Sequence, residues 1–155
     1  MKDIQEIAPG LDNPGQPLED IATAGQPNEE HLKLLVEAGY KTVIDLRIPE
    51  EDRGLDEQEV VRQAGMEYVN IPVGHETVED ETFERFRELM RDSERRPVLV
   101  HCSSANRVGA LLVPYLILDE GKSTEEAEEV ASEVGLQSEE LKQAALRYTN
   151  ERSES

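Results

Sequence analysis

Residues 98–118 read VLVHCSSANRVGALLVPYLIL, and the rest of the chain is organised around this stretch. The apolar residues 98–100 indicate a buried strand that ends at His101 and Cys102. Small and polar residues follow as far as Arg107, and the mostly apolar run behind them indicates a buried helix. The only cysteine of the chain is therefore expected at a turn from a strand into a helix, shortly before an arginine.

A turn of this kind is suited to an oxyanion. The first backbone N–H groups of a helix have no acceptor inside the helix, and the positive end of the helix dipole lies beside them. Arg107 adds a planar set of donors that fits phosphate or sulfate. The same positive field favours the thiolate of Cys102 at neutral pH. A thiolate and an anion site in one loop indicate nucleophilic attack on an anionic substrate, whereas the alternative is a cysteine that is only a small buried hydrophobe.

The stretch resembles the signature loop of cysteine-dependent protein tyrosine phosphatases, in which His-Cys precedes five residues, an arginine and a Ser or Thr. Here four residues separate Cys102 from Arg107, and Val108 follows. The loop HCSSANRVGA is similar to that of the beta-lactamase-hydrolase-like, phosphatase-like family, as are TAGQP at 23–27, GYKTVIDLR at 39–47 and YVNIPV at 68–73. Rhodaneses also place four residues between Cys and Arg, but the AGQP and IDLR segments favour the phosphatase fold.

The resemblance implies roles for the loop residues. Cys102 attacks phosphorus and forms a phosphocysteine, while Arg107 holds two phosphoryl oxygens and stabilises their charge in the transition state. The implied phosphate-binding residues are Ser103, Ser104, Ala105, Asn106 and Arg107. Val108 cannot help the thiolate to leave, so either Ser103 or Ser104 does so or hydrolysis of the intermediate is slow.

Three more residues are expected to order the loops around the site. His101 is expected to hold the nucleophile loop through hydrogen bonds rather than to act as a base. Asp45 and Arg47, in the IDLR segment, are expected to hold the loops at the rim by an ion pair.

A phosphatase also needs an acid that protonates the leaving oxygen. Related dual-specificity phosphatases carry an aspartate on the loop after the Tyr-x-x-Ile-Pro-like strand. Counting from Tyr68 puts that position at His75, with Glu76 beside it, and neither is an aspartate. Glu79 and Asp80 are close, but Asp80 has the alternative role of a helix cap. His75 and Glu76 are therefore the expected acids.

Composition and charge exclude several classes of protein. The 155 residues are 37% hydrophobic and 33% charged, which suits one globular domain. A net charge of −19, from 35 acidic and 16 basic residues, makes nucleic acid a poor partner. This acidic surface fits solubility, adaptation to high salt, or an ordinary acidic protein. A single cysteine excludes an internal disulfide and a cysteine-rich zinc site, and we expect neither a metal nor a cofactor.

The sequence also predicts a location and a class of ligand. A reactive free thiol fits a reducing compartment, and the first residues, MKDIQEIAPG, contain no apolar signal core, so we expect a cytoplasmic protein. The longest apolar run, near 108–118, is too short to cross a membrane. The expected ligand is a phosphorylated small molecule or a phosphoprotein, and the oligomeric state is left open.

Strand and helix patterns alternate along the chain, which predicts a single α/β domain. We expect a mostly parallel central sheet of four to five strands with helices on both faces, like that of dual-specificity phosphatases. Residues 1–17 are predicted as a loop-rich lead-in with at most a short strand at 4–7, residues 18–150 as the domain and residues 151–155 as a frayed tail. The predicted strands are 21–24 (at an edge), 42–46, 66–71 and 98–101, and the later helices are predicted at 57–64, 124–133 and 139–149.

Three functions follow as alternatives. The first is a cysteine-dependent phosphatase acting on a phosphoryl ester. The second is a rhodanese-like sulfurtransferase in which Cys102 carries a persulfide, since that reaction also needs a thiolate and an anion site but no general acid. The third is a module that binds an oxyanion without turnover.

Overall fold

The computed structural model describes residues 3–48, 50–51, 54–74, 78–103 and 105–153. The helices are α1 Ile4–Ile7, α2 Glu29–Glu37, α3 Glu57–Ala64, α4 Asp80–Arg91, α5 Asn106–Leu118, α6 Thr124–Val134 and α7 Glu139–Ser153. The strands are β1 Gly15–Leu18, β2 Ile21–Ala24, β3 Thr42–Asp45, β4 Glu67–Asn70 and β5 Val98–His101. A short 3-10 turn, Ser93–Arg95, precedes β5.

The strands form one five-stranded sheet in the order β1-β2-β5-β3-β4. Strands β2, β5, β3 and β4 are parallel, and β1 is antiparallel to β2, so the predicted mostly parallel sheet is confirmed. Ala24 is in register with His101, and His101 is in register with Asp45. The carboxyl ends of three neighbouring strands therefore lie side by side, which is where open α/β sheets bind ligands.

The first part of the chain differs from the prediction. Strand β2 was expected at an edge, but it lies between β1 and β5. The edge is β1, which falls in the predicted lead-in and whose Gly15 and Pro17 are poor strand formers that an edge tolerates. Residues 4–7 form a helical turn instead of a strand, because Asp3 caps it and the buried side chains of Ile4 and Ile7 are three positions apart.

The helices cover both faces of the sheet, as predicted. Successive strand residues alternate between two hydrophobic clusters, so that Val98 and Val100 lie in one cluster and Leu99 in the other. The buried residues of α4, α5, α6 and α7 pack in the first cluster, and those of α1, α2 and α3 pack in the second. Helix α5 is buried along most of its length, as its apolar sequence predicts.

The packing of α5 depends on Gly109. A Cβ at Gly109 would lie 2.8 Å from the Cβ of Leu136 and 2.9 Å from the carbonyl oxygen of Ala131. Both atoms belong to α6 or to the residues just after it. Glycine therefore lets α6 approach the first turn of α5, and this contact fixes the start of the helix that follows Cys102.

Several helix boundaries test the sequence patterns directly. Helix α3 spans the predicted residues 57–64 and stops at Gly65, whose φ is +99°. Helix α4 begins with Asp80, and its N-cap residue, Glu79, makes no side-chain cap bond, so the capping role considered for Asp80 is wrong. Helix α7 continues to Ser153, past the predicted end at 149, so residues 151–153 are helical where a frayed tail was predicted.

Among the described residues, no helix combines the length and the apolar character needed to cross a bilayer.

Candidate active site

Cys102 follows β5 directly and is fully buried. Its backbone N–H donates to the carbonyl oxygen of Ala24 at 3.3 Å, which ties the turn to the end of β2. The next residue, Ser103, is exposed. Ser104 lies outside the described residues. Ala105 closes the turn in the left-handed conformation, with φ +71°, and this sharp reversal starts α5 immediately behind the cysteine.

A second loop is pressed against this turn. A Cβ on Gly25 would lie 2.7 Å from the carbonyl oxygen of Ser103, which is closer than real Cβ atoms approach. The N–H of Gly25 donates to the carbonyl oxygen of Asp12 at 2.8 Å. The loop after β2 can therefore reach the turn at Cys102 and Ser103 because residue 25 has no side chain.

The start of α5 offers backbone donors beside Cys102. The first helical hydrogen bond runs from the N–H of Gly109 to the carbonyl oxygen of Ala105, at 3.1 Å, so the amides of residues 106–108 precede it. Ala105 is the N-cap residue, and no side-chain cap bond forms there. These amides and the positive end of the helix dipole are thus arranged for an anionic ligand.

The side chain of Asn106 points to another part of the molecule. Its Oδ1 accepts from the backbone N–H groups of Gln137, at 2.8 Å, and Ser138, at 3.1 Å. Asn106 was expected in the phosphate-binding set, and the structure leaves its backbone amide, not its Oδ1, at the start of α5 for that role. Its side chain anchors the loop between α6 and α7 to the start of α5.

Arg107 lies in the first turn of α5 with a side chain that is only 2% exposed. Its Nη1 donates to Glu51 Oε2 at 2.8 Å and to the carbonyl oxygen of Val73 at 3.0 Å, and its Nη2 donates to Glu51 Oε1 at 2.8 Å. A guanidinium has five N–H donors. The Nε–H and one Nη2–H are not used by Glu51 or Val73, and the side chain also forms a hydrogen bond with Cys102. These two donors lie on one edge with the spacing that suits two oxygens of a phosphoryl group.

Arg107 also interacts with Cys102. Burial lowers the pKa of Arg107, but the hydrogen bond to Glu51 and the negative charge of Cys102 raise it by more, so its pKa is above the ordinary value. The guanidinium therefore stays charged and lies next to the sulfur. The structure thus brings Cys102 and Arg107 together at one turn.

Glu51 contacts Arg107, and nothing in the sequence predicted this contact. It binds the end of the Arg107 guanidinium, accepts from Arg47 Nε at 3.0 Å and accepts from the Ile48 N–H at 2.8 Å. The hydrogen bond from Arg107 is the largest cause that lowers the pKa of Glu51 from 4.5 to about 2. The only signal in the sequence is the spacing of four residues between Arg47 and Glu51, which is common among exposed ion pairs.

Asp45 and Arg47 both lie at the end of β3, and Arg47 forms an ion pair with Glu51 at 3.0 Å. Asp45 accepts from the backbone N–H of Arg47 at 2.9 Å and from the hydroxyl of Tyr68 at 2.5 Å. Asn70 donates to the carbonyl oxygens of both Asp45 and Arg47. The loop after β3 is therefore held by hydrogen bonds on its backbone as well as by its side chains.

His101 is buried next to Cys102. Its Nε2 lies 2.5 Å from Glu57 Oε2, and its Nδ1 lies 3.5 Å from the carbonyl oxygen of Cys102. Glu57 begins α3, is 2% exposed and, like Glu51, was missed by the sequence analysis. The two ring nitrogens of His101 therefore link α3 to the backbone of Cys102.

His101, Glu57 and Asp45 also form a set that could hold a metal ion, since one ligand atom from each lies within 4.8 Å of the others. All three side chains are buried. However, the Glu57 and Asp45 oxygens accept hydrogen bonds from His101, Gln26, Tyr68 and the Arg47 amide. These donors favour a hydrogen-bonded network over a metal centre.

The expected acids, His75 and Glu76, lie outside the described residues. Of the two alternatives nearby, Asp80 lies 3.7 Å from the Arg152 guanidinium of α7. Glu79 lines a cavity of about 520 Å³ at the start of α4, together with Val78, Asp80, Glu81 and Arg147.

Comparison with known proteins identifies a family for this chain. The family model described as "DSP-PTPase phosphatase fused to NAD+ Kinase" matches residues 16–149, which is most of the chain. The chain belongs to this DSP-PTPase family. A beta-lactamase hydrolase-like protein of Xylella fastidiosa (strain Temecula1 / ATCC 700964) is 31% identical over 114 residues, covering 71% of this chain and 26% of that protein. The chain thus spans about a quarter of the length of the curated relatives that it matches first.

Solved structures confirm the fold of this DSP-PTPase domain. A DUF442 protein of Shewanella putrefaciens CN-32 superposes with a TM-score of 0.80 at 28% identity, over 96% of this chain and 97% of that one. TpbA of P. aeruginosa superposes with a TM-score of 0.71 at 24% identity, over 94% of this chain and 87% of that one. The dual-specificity-phosphatase-like fold that the resemblance implied is therefore correct.

Proposed function

We propose that this DSP-PTPase domain is a cysteine-dependent phosphatase that hydrolyses a phosphoryl ester through a phosphocysteine. One observation carries the proposal. Buried Cys102 lies at the uncapped start of α5, and the edge of the Arg107 guanidinium that Glu51 and Val73 leave open has the shape for a phosphoryl group. The substrate class is a phosphorylated small molecule or a phosphoprotein.

The first chemical step forms a bond between sulfur and phosphorus. The Cys102 thiolate attacks phosphorus, the ester P–O bond breaks, and the leaving oxygen takes a proton from a general acid. Negative charge on the phosphoryl oxygens is stabilised by Arg107 and by the amides at the start of α5. We propose His75 or Glu76 as the acid, since they follow strand β4 at the position where related enzymes carry aspartate.

The second step hydrolyses the phosphocysteine. A water molecule attacks phosphorus, the S–P bond breaks, and inorganic phosphate and the thiolate are released. Val108 replaces the hydroxyl residue that assists this departure in related loops. Exposed Ser103 is the described hydroxyl nearest in sequence to the sulfur, and we propose that it or Ser104 takes over this role. If neither does, the second step is slow and the phosphocysteine accumulates.

A sulfurtransferase is the second candidate, because the spacing of four residues between Cys102 and Arg107 is shared with rhodaneses. In that reaction the Cys102 thiolate would attack the outer sulfur of thiosulfate, release sulfite and pass the persulfide sulfur to cyanide. The use of a free thiolate in either reaction fits a reducing compartment such as the cytoplasm.

Paired assays test the proposal. Wild-type protein and Cys102→Ser are given p-nitrophenyl phosphate in one assay and thiosulfate with cyanide in the other. We expect the wild type to release nitrophenol and Cys102→Ser to release none. Neither protein should form thiocyanate. Formation of thiocyanate without release of nitrophenol would show that the protein is a sulfurtransferase and not a phosphatase. Sulfate binding without either product would leave an oxyanion-binding module.

A further inference from the structure

Gln26 lies in the AGQP segment, on the loop after β2, and its amide group is bonded in two directions. Its Nε2 donates to Glu57 Oε1 at 2.6 Å and to the carbonyl oxygen of Pro27 at 3.1 Å. Its Oε1 accepts from Arg47 Nη1 at 3.0 Å. Glu57 can only accept and Arg47 can only donate, so their chemistry fixes which way the Gln26 amide faces.

One direction leads to the backbone of the nucleophile. Glu57 Oε1 accepts the hydrogen bond from the Gln26 amide, and Glu57 Oε2 lies 2.5 Å from His101 Nε2. The other nitrogen of His101 faces the Cys102 carbonyl oxygen. Glu57 and His101 are both buried, so this chain of contacts is shielded from water. We call Gln26, Glu57 and His101 the cysteine arm.

The other direction leads to the anion-binding guanidinium. Arg47, bonded to Gln26 Oε1, donates from Nε to Glu51 Oε1 at 3.0 Å. Glu51 binds the end of Arg107 through both carboxylate oxygens. This contact fixes the orientation of the Arg107 guanidinium, which also interacts with Cys102. We call Gln26, Arg47, Glu51 and Arg107 the arginine arm.

The two arms meet at Gln26 and approach each other again at Cys102, whose carbonyl faces His101 and whose charge acts on Arg107. Only a side chain with both a donor and an acceptor can join a carboxylate to a guanidinium at this point. A glutamate would repel Glu57, and an apolar residue would leave both partners without the amide. The loop that carries Gln26 is itself held against Ser103 by the close approach of Gly25.

We propose that Gln26 is a positioning residue that couples the orientation of the nucleophile loop to that of the Arg107 guanidinium. The proposal rests on the proposed phosphatase function for its purpose, since attack on phosphorus needs sulfur and guanidinium in a fixed relation. The effects of Gln26 on Cys102 and on Arg107 can be measured without turnover. A change at Gln26 alters two properties at once, the ionisation of Cys102 and the affinity of Arg107 for an oxyanion.

Two variants separate the arms. Gln26→Met keeps the length of the side chain and removes both its donor and its acceptor. Gln26→Glu keeps an acceptor for Arg47 but places a like charge beside Glu57. The matched control is Gln63→Met, because Gln63 is an exposed glutamine on α3 whose Nε2 donates to Glu59 Oε1 at 2.8 Å. The readouts are the pH midpoint of Cys102 alkylation by iodoacetamide and the Kd of inorganic sulfate from calorimetry.

For Gln26→Met we expect the sulfate Kd to rise about 5-fold, the loss that one hydrogen bond contributes. We expect its alkylation midpoint to rise, because the Arg107 charge is held less closely to the sulfur. Gln26→Glu should raise the midpoint and keep the sulfate Kd, while Gln63→Met should change neither. Turnover of p-nitrophenyl phosphate by Gln26→Met should fall by up to about 10²-fold, the cost of misplacing reacting groups by an ångström.

Unchanged sulfate affinity and alkylation in folded Gln26→Met would overturn the proposal, even if its thermal stability fell. Equal effects of Gln26→Glu on both readouts would also overturn it, because this variant keeps the acceptor for Arg47 and should leave the sulfate Kd unchanged. If Gln26→Met does not fold, Gln26→Glu alone decides between these outcomes. A wild-type protein without phosphatase turnover would refute the proposed function and leave both Gln26 readouts measurable.

Discussion

Replacing Arg107 by lysine keeps a positive charge beside Cys102 but removes the open edge of the guanidinium. In the structure, three N–H donors of Arg107 are used by Glu51 and the Val73 carbonyl. A lysine ammonium has three donors in total. The same buried acceptors would therefore occupy all of them, and none would remain for a phosphoryl oxygen.

The size of the effect follows from the two donors that are lost. A hydrogen bond to a charged group contributes roughly 1.5–3 kcal/mol, so kcat/KM for p-nitrophenyl phosphate should fall by roughly 10²- to 10⁴-fold in Arg107→Lys. The sulfate Kd should rise with it. The variant should still fold, because the ammonium can satisfy the buried Glu51 and Val73 oxygens.

The control for this experiment is Arg87→Lys. Arg87 lies on α4 and donates to both carboxylate oxygens of Asp119, at 2.7 and 3.2 Å, and to the hydroxyl of Tyr148 at 2.8 Å. This is the same kind of contact away from the strand ends, so Arg87→Lys should lower stability and leave kcat/KM unchanged. Near wild-type kinetics in Arg107→Lys would refute the reasoning, since the anion site would then lie elsewhere.

Three further outcomes are expected. The folded-state pKa of Glu51 is about 2 against 4.5 unfolded, so its ion pairs stabilise the fold fully above pH 4.5 and stop doing so as the pH falls toward 2. In urea unfolding, the wild type should lose about 3 kcal/mol at most over this pH range through Glu51, and Glu51→Gln should not show that loss. The same pH dependence of the unfolding free energy in both proteins would exclude this role of Glu51. Gly25→Ala should cost about 1–3 kcal/mol in unfolding free energy and reduce turnover, because the new Cβ meets the Ser103 carbonyl at 2.7 Å, and a neutral effect would show that the two loops move apart freely. With a net charge of −19, KCl from ~0.1 to ~1 M should raise the Tm by screening, whereas sulfate at matched ionic strength should raise the Tm further and inhibit; equal effects of the two salts would exclude an oxyanion site.

Patterns within single elements allowed much of the fold to be predicted. The apolar runs of β3 and β5 and the face of α3 that ends at Gly65 specify their elements locally, and these elements lie where predicted. The alternation of strands and helices then leads to a mostly parallel sheet. Strand β1 could not be predicted because Gly15 and Pro17 are weak strand formers, and helix α1 because four residues are too short for a periodic pattern. Tertiary contacts such as the bond from the Ile4 N–H to Gln16 Oε1 hold both elements.

In the candidate site too, contacts between residues close in sequence were predicted and contacts between distant residues were not. Cys102 and Arg107 are close in sequence, so local spacing was enough to place them on one turn. Glu51 and Glu57 meet Arg107 and His101 across 56 and 44 residues, and such pairings have no periodicity in a single sequence. Both glutamates also occur in strongly acidic segments, where composition suggests solvated surface charge instead of buried partners.

The central claim is that Cys102 becomes phosphorylated during turnover. Wild-type protein is mixed with p-nitrophenyl phosphate, quenched in acid within the first turnover, digested and analysed by mass spectrometry. We predict one phosphoryl group on the peptide that contains Cys102, released on a timescale that matches turnover, and none on Cys102→Ser. Nitrophenol release without a phosphoryl group on Cys102, or with the group on another residue, would contradict the claim.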